Sequence, residues 1–231
     1  MLKLMKLEMQ KFELVKYMRG AFIANIVIVM LLCLIGYVEV NEEIKVMTTH
    51  YMAIQIIETI IRATFIIFAA VLLTQTVINE YKSKTITVLF MYPISRKKIL
   101  LAKLLITIIF TFSAIVLSFI FVSSGFYLFN HFTQIIPEPF NTSIVINYFG
   151  IVVLNALASS LISLIPLYVG MRKYSVPATI ITSFFISIIV CQNFNGFSLN
   201  SIIFIPIILS ILGGMVAILT IKDIDDKDII A

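Results

Sequence analysis

Charge is scarce in this sequence. Only 13% of its 231 residues are Asp, Glu, Lys or Arg, about half the share of an ordinary soluble domain. Histidine occurs twice, at His50 and His131, and cysteine twice, at Cys33 and Cys191. Two cysteines in apolar surroundings make no disulfide framework, and no C-x-x-C or Cys/His cluster offers a metal site. A histidine-based catalytic centre has little raw material. The chain also lacks G-x-x-x-x-G-K-[ST], and no other Gly-rich stretch offers a nest for phosphates. It lacks G-x-S-x-G as well.

Apolar residues are abundant instead: 61% of the chain, with a mean hydropathy of +1.09. A water-soluble fold of this size cannot hide that much apolar surface, so lipid must solvate much of it. Six apolar runs are each near the ~20 residues that cross the hydrocarbon of a bilayer. They cover about 20–38, 54–78, 99–121, 144–169, 176–190 and 202–221. The fifth is the shortest. The expected fold is therefore an all-α integral membrane domain over 1–231, with six transmembrane helices and no room for a soluble domain.

Residues 1–19 alternate differently. Leu2, Met5, Met9, Phe12 and Val15 recur at helical spacing, and Lys3, Lys6, Lys11, Lys16 and Arg19 mark a polar side. This predicts an amphipathic helix lying in the membrane interface. A signal peptide fits less well, because no small-x-small cleavage site stands out and more spans follow.

The net charge of +5 has a plain explanation. With the amino end in the cytoplasm, inner segments hold 15 of the 17 basic residues, leaving Lys45 and Arg62 outside or near the outer face. That is the sorting expected of a multi-pass membrane protein, and it needs no nucleic-acid partner. Both termini are then cytoplasmic, including the tail 222–231, whose aspartates interleave with Lys222 and Lys227.

The inner segment 79–98, NEYKSKTITVLFMYPISRKK, is the most informative stretch. Ile86, Val88, Leu89 and Met91 supply an apolar side, Pro93 can end a helix, and Ser95 can cap the next. A short helix under the membrane is expected here. Glu80, Lys84, Thr85, Pro93, Ser95, Arg96 and Lys103 carry a further signal. In spacing they resemble the loop between spans two and three of ABC-2 type permeases, the membrane subunits of one class of ATP-binding-cassette transporter. Lys84 and Ala102 replace the glycines usual in that pattern. The six-span layout and the basic amino-terminal helix extend the resemblance over nearly the whole chain.

The resemblance implies that 79–98 is a coupling loop that docks on a separate cytoplasmic ATPase, present in two copies. ATP and Mg would be bound by that partner, and this chain would hold no cofactor. Six spans are half the usual twelve, implying a second permease copy or a paralogue. Small permeases of this kind resemble exporters of antimicrobial peptides, or immunity factors against lantibiotics and bacitracin, in the bacterial plasma membrane. Sodium- and haem-type permeases share the layout. An intramembrane enzyme is the rival class, but no Ser, His or carboxylate constellation at mid-depth supports it.

Glu58 and Arg62 are spaced to pair on one helix. They mark either a polar patch at an outer mouth or, as the favoured reading, a pair snorkelling to outer headgroups. Cys191 to Pro206 reads as a short re-entrant or extracellular helical element, or as an outer loop before a Pro-kinked span. Gly213, Gly214, Ala156, Ala158, Ser159 and Ser160 are expected to pack helices within one subunit.

Overall fold

The structure is a computed structural model. It describes residues 2–11, 14–42, 49–83, 96–133, 136, 142–191, 193–194, 197–198 and 204–226. The described chain is helical apart from a two-stranded antiparallel ribbon, Asn193–Phe194 with Phe197–Ser198.

The helix α1 (Leu2–Lys11) precedes the long α2 (Leu14–Glu42). Residues 14–19, read from sequence as the end of the interfacial helix, instead begin the helix of the first apolar run. The α1 face also differs from the expected one. Met9 is exposed, whereas Glu8 is turned inward and buried.

The second run forms α3 (His50–Leu73), a π-helical turn (Thr74–Ile78) and a last turn, α4 (Asn79–Lys82). Thr49 starts it: its hydroxyl accepts the Met52 N–H at 3.3 Å, relieving one orphan donor of the first turn. In the π turn the Asn79 N–H reaches Thr74 O, one residue beyond the α-helical partner. The helix α5 (Arg96–Thr133) has 38 residues. At 1.5 Å per residue it is about 57 Å long, well beyond the hydrocarbon thickness. It runs twelve residues past the expected span end.

The fourth run is broken in two. After α6 (Thr142–Ile162) comes a turn at Ser163 and Leu164, then α7 (Ile165–Lys173). Pro166 is the cause. It has no N–H for the Ile162 carbonyl, and the backbone tightens to Leu164 N–H to Leu161 O and Leu167 N–H to Leu164 O, both 3.1 Å. Tyr174 then caps α7 in the left-handed region, with φ 46°, so the chain reverses within one residue into α8 (Val176–Cys191). The last helix, α9, is Phe204–Asp226. Pro206 sits in its first turn, where no intrahelical bond is lost, so it does not kink the span. The tail expected from 222 onward begins as part of this helix.

By length and composition, four helices can cross a membrane: Lys16–Val38, His50–Lys82, Lys97–Thr133 and Tyr148–Lys173. Val176–Cys191 and Pro206–Ile221 are apolar but shorter. The chain is a multi-pass membrane protein. Its outer surface agrees: Met30, Leu34, Leu154, Phe185 and Ile218 are all more than half exposed, a distribution that suits hydrocarbon rather than water.

The helix pair α3 and α5 is the centre of the bundle. α2, α6 and α8 pack around it, and α9 lies against α6 and α7. Ile57, Phe65, Ile115, Phe119 and Val152 fill one core region. Leu73, Val77, Leu100 and Leu167 fill a second, at the end where α4 and α7 finish. Gly213 lets α9 approach α6, because a Cβ there would meet the Leu161 carbonyl oxygen. This contact lies within one chain. Gly214 faces open space.

Candidate functional site

Two buried polar clusters interrupt this apolar bundle, one at the end of α4 and one beside the first half of α3. They are 22 residues apart on one continuous helical stretch, about 33 Å.

The first cluster is built on Lys103. This lysine projects from α5 and is 2% exposed. Its ammonium donates to Thr76 O at 2.7 Å and to Glu80 Oε2 at 2.6 Å. Glu8 Oε2 of α1 lies 3.3 Å away, as an ion-pair partner. The other oxygen of Glu80 accepts from Lys11 at 2.5 Å. Among the described residues two cations and two carboxylates balance here, with Lys103, Glu80 and Glu8 buried and Lys11 half exposed. That balance makes burial tolerable, since an unpaired buried charge costs several kcal/mol. The π turn contributes directly: Thr76 lies within it and presents a carbonyl to Lys103.

Four elements meet at this point: α1, the π turn, α4 and α5. Glu80 and Lys103 stand on either side of the segment 84–95, so the feet of that loop are tied together. Lys84, Thr85, Pro93 and Ser95 lie outside the described residues, and with them the expected short helix. Arg96 opens α5. Sequence reasoning placed Glu80 and Lys103 in one motif but missed Glu8. The signal was available: a carboxylate at 8 stands three residues before Lys11 in a segment with five basic residues and only one other acid, Glu13.

The second cluster centres on Glu58. It is 4% exposed and Arg62 is 3% exposed, which corrects the reading of this pair as snorkelling to headgroups. Glu58 accepts from Tyr148 Oη and from Asn155 Nδ2, both at 2.6 Å. The Arg62 guanidinium is at 3.7 Å from Glu58, so α6 grips the carboxylate more closely than its own-helix partner does. On the far side, the Cys191 thiol at the end of α8 points to Thr59 O at 3.7 Å. Tyr51 packs edge-on against Tyr148, with ring centroids 5.6 Å apart. Glu58 thus joins α3 to α6, and Cys191 adds α8. Tyr148 and Asn155 were not singled out from sequence, although an amide in the middle of an apolar run is a mark of a buried partner.

Chemically, both clusters are ties between helices. Neither sets a nucleophile against a general base in the manner of a hydrolase. They can transmit or resist movement of one helix against another, which is what a transport subunit requires.

Comparison with known proteins agrees with that reading. The family described as ABC-2 family transporter protein matches residues 4–190. The chain is also 39% identical, over 227 residues, to the uncharacterized protein YcbO of Bacillus subtilis (strain 168), covering 98% of this chain and 100% of that one. No solved structure matches. The matched region runs from within α1 to the last turn of α8 and takes in both buried clusters except Cys191, and on that basis the chain belongs to the ABC-2 family of transporter proteins.

Proposed function

We propose that this chain is a six-span permease subunit of an ATP-binding-cassette exporter, driven by a separate ATPase. The four long spans are joined by α8 and α9 as fifth and sixth. At 16 residues α8 reaches about 24 Å, short of the hydrocarbon thickness, and local thinning of the bilayer accommodates it. Both termini face the cytoplasm. Two ATPase copies bind ATP and Mg, and two permease subunits, identical or paralogous, complete the path. The cargo is a peptide or a lipid-like amphiphile, and the setting is the bacterial plasma membrane.

The observation that carries this reading is the buried bridge between Glu80 and Lys103 at the base of segment 84–95. A loop that only connected two spans would need no such anchor. A loop that receives force from an ATPase does, because its feet must move α3 and α5 as one body. Lys84, Thr85, Pro93, Ser95 and Arg96 form the contact surface, and Glu80 and Lys103 transmit its movement. Glu58 and Arg62 hold the permeation side of the same helix.

The test is purification and reconstitution. A soluble ATPase is expected to co-purify with this chain. Glu80→Gln and Arg96→Ala are expected to leave expression and ATP hydrolysis in place while transport falls. Normal transport by both variants would overturn the coupling role. Absence of any ATPase in the complex would overturn the transport mechanism.

A further inference from the structure

A cavity of about 270 Å³ lies between α3, α5 and α6, at the end of the bundle opposite Glu80 and Lys103. It is nearly twice the size of an engineered apolar void of about 150 Å³ that stays dry and takes up benzene. Its inner wall is apolar: Ile54, Ile57 and Phe119 are 6%, 1% and 1% exposed, and Phe149 closes one side. Among the described residues, no carboxylate, lysine or arginine lines it. The polar lining groups include His50 at the start of α3 and Asn130 near the end of α5, so one end of the cavity is polar. Ile120, Ser124 and Tyr127 also line it, and these lie on the exposed stripe of α5. The cavity therefore opens sideways, toward whatever solvates the bundle.

We infer that this cavity holds one acyl chain of a bilayer phospholipid. A void of this size cannot stay empty without forfeiting dispersion contacts along its whole lining, and water has few polar partners inside it. Acyl chains are the material at its opening, on the side where Ile120, Ser124 and Tyr127 are exposed. The polar end near His50 and Asn130 matches the ester and phosphate oxygens of the lipid, with its chain end inward. The small side chains of Ala53 and Ser123 help make the room. The assignment stands apart from the transport reading, because a lipid can occupy the cavity whether or not it is carried.

Photolabelling tests it. The full-length protein is placed in nanodiscs of phosphatidylglycerol containing a phospholipid with a diazirine in one acyl chain. Adducts on Ile54, Ile57 and Phe119 are expected, since bulk lipid outside the bundle does not reach these residues. Ser123→Phe and, from the opposite wall, Ala53→Leu are expected to reduce those adducts roughly fivefold or more by filling the space. Labelling of Leu154 and Ile146, which are 68% and 71% exposed, serves as the unchanged reference. Adducts confined to exposed residues in the wild-type protein overturn the proposal even if neither variant folds. So does a disulfide cross-link through Ile120→Cys between two copies together with no adducts on Ile54, Ile57 or Phe119, which would make this face a subunit seam.

Discussion

Lys103 and Glu80 lie 23 residues apart in sequence and 2.6 Å apart in space, and the chain between them includes the whole of segment 84–95. The ammonium also holds the Thr76 carbonyl and faces Glu8. Removing it takes the ion-pair partner from buried Glu8 and leaves buried Glu80 with the half-exposed Lys11. Lys103→Met is expected to lower stability by about 3–5 kcal/mol, the usual cost of breaking a buried pair on one side. Lys11→Ala should cost about 1 kcal/mol or less, because that side chain is 45% exposed and screened by solvent. Thermal unfolding of both variants in the same detergent checks the contrast. Equal shifts would mean that Lys103 is not the organising charge.

The Glu58 cluster predicts a pattern of non-additivity. Glu58→Leu leaves Arg62 buried without its anion, and leaves Tyr148 and Asn155 without an acceptor. It is expected to destabilise by several kcal/mol. Adding Arg62→Leu removes the stranded cation, so the double variant should be more stable than Glu58→Leu alone by about 1–3 kcal/mol. Stability in a double-mutant cycle measures this directly. Strict additivity would show that the two residues do not share one environment.

Two adjacent glycines make a sharper contrast. A methyl group at Gly213 would press on the Leu161 carbonyl oxygen, which cannot move without shifting α6. Gly213→Ala is expected to cost about 1–3 kcal/mol as overpacking. Gly214→Ala meets nothing within 4 Å and should be neutral or stabilising by up to about 1 kcal/mol, through lost chain freedom in the unfolded state. Thermal unfolding again decides, and a reversed order would refute the close crossing of α9 over α6.

Much of this was legible in the sequence, and the failures have physical causes. Apolar run length located each helix, because hydrocarbon thickness sets a minimum. It did not set the ends: α5 continues to Thr133 because Val122 to Thr133 holds no proline and the single Gly125 is too small a cost to stop the helix. The resemblance to the permease pattern located Glu80 and Lys103 but not Glu8, since the inward turn of α1 depends on a partner more than seventy residues away. Glu58 was read as snorkelling because pairing with Arg62 is local, whereas Tyr148 and Asn155, its closer partners, are 90 and 97 residues distant. The π turn left no sequence mark; its role becomes visible only through the Thr76 carbonyl that Lys103 holds.

Topology gives the last prediction. The helix α5 is about 57 Å long, so its two ends lie on opposite sides of any bilayer it crosses. The basic residues gather at one end, with Lys82 closing α4 and Arg172 and Lys173 closing α7. Positive charge is retained on the cytoplasmic side, so that end is predicted to face inward. In a background free of Cys33 and Cys191, Thr133→Cys should react with a membrane-impermeant maleimide on intact cells. Ser83→Cys and Lys173→Cys should react only after permeabilisation. All three positions are exposed, so a missing signal reports sidedness and not burial. Reaction of Ser83→Cys on intact cells would put segment 84–95 outside, where no ATPase could engage it.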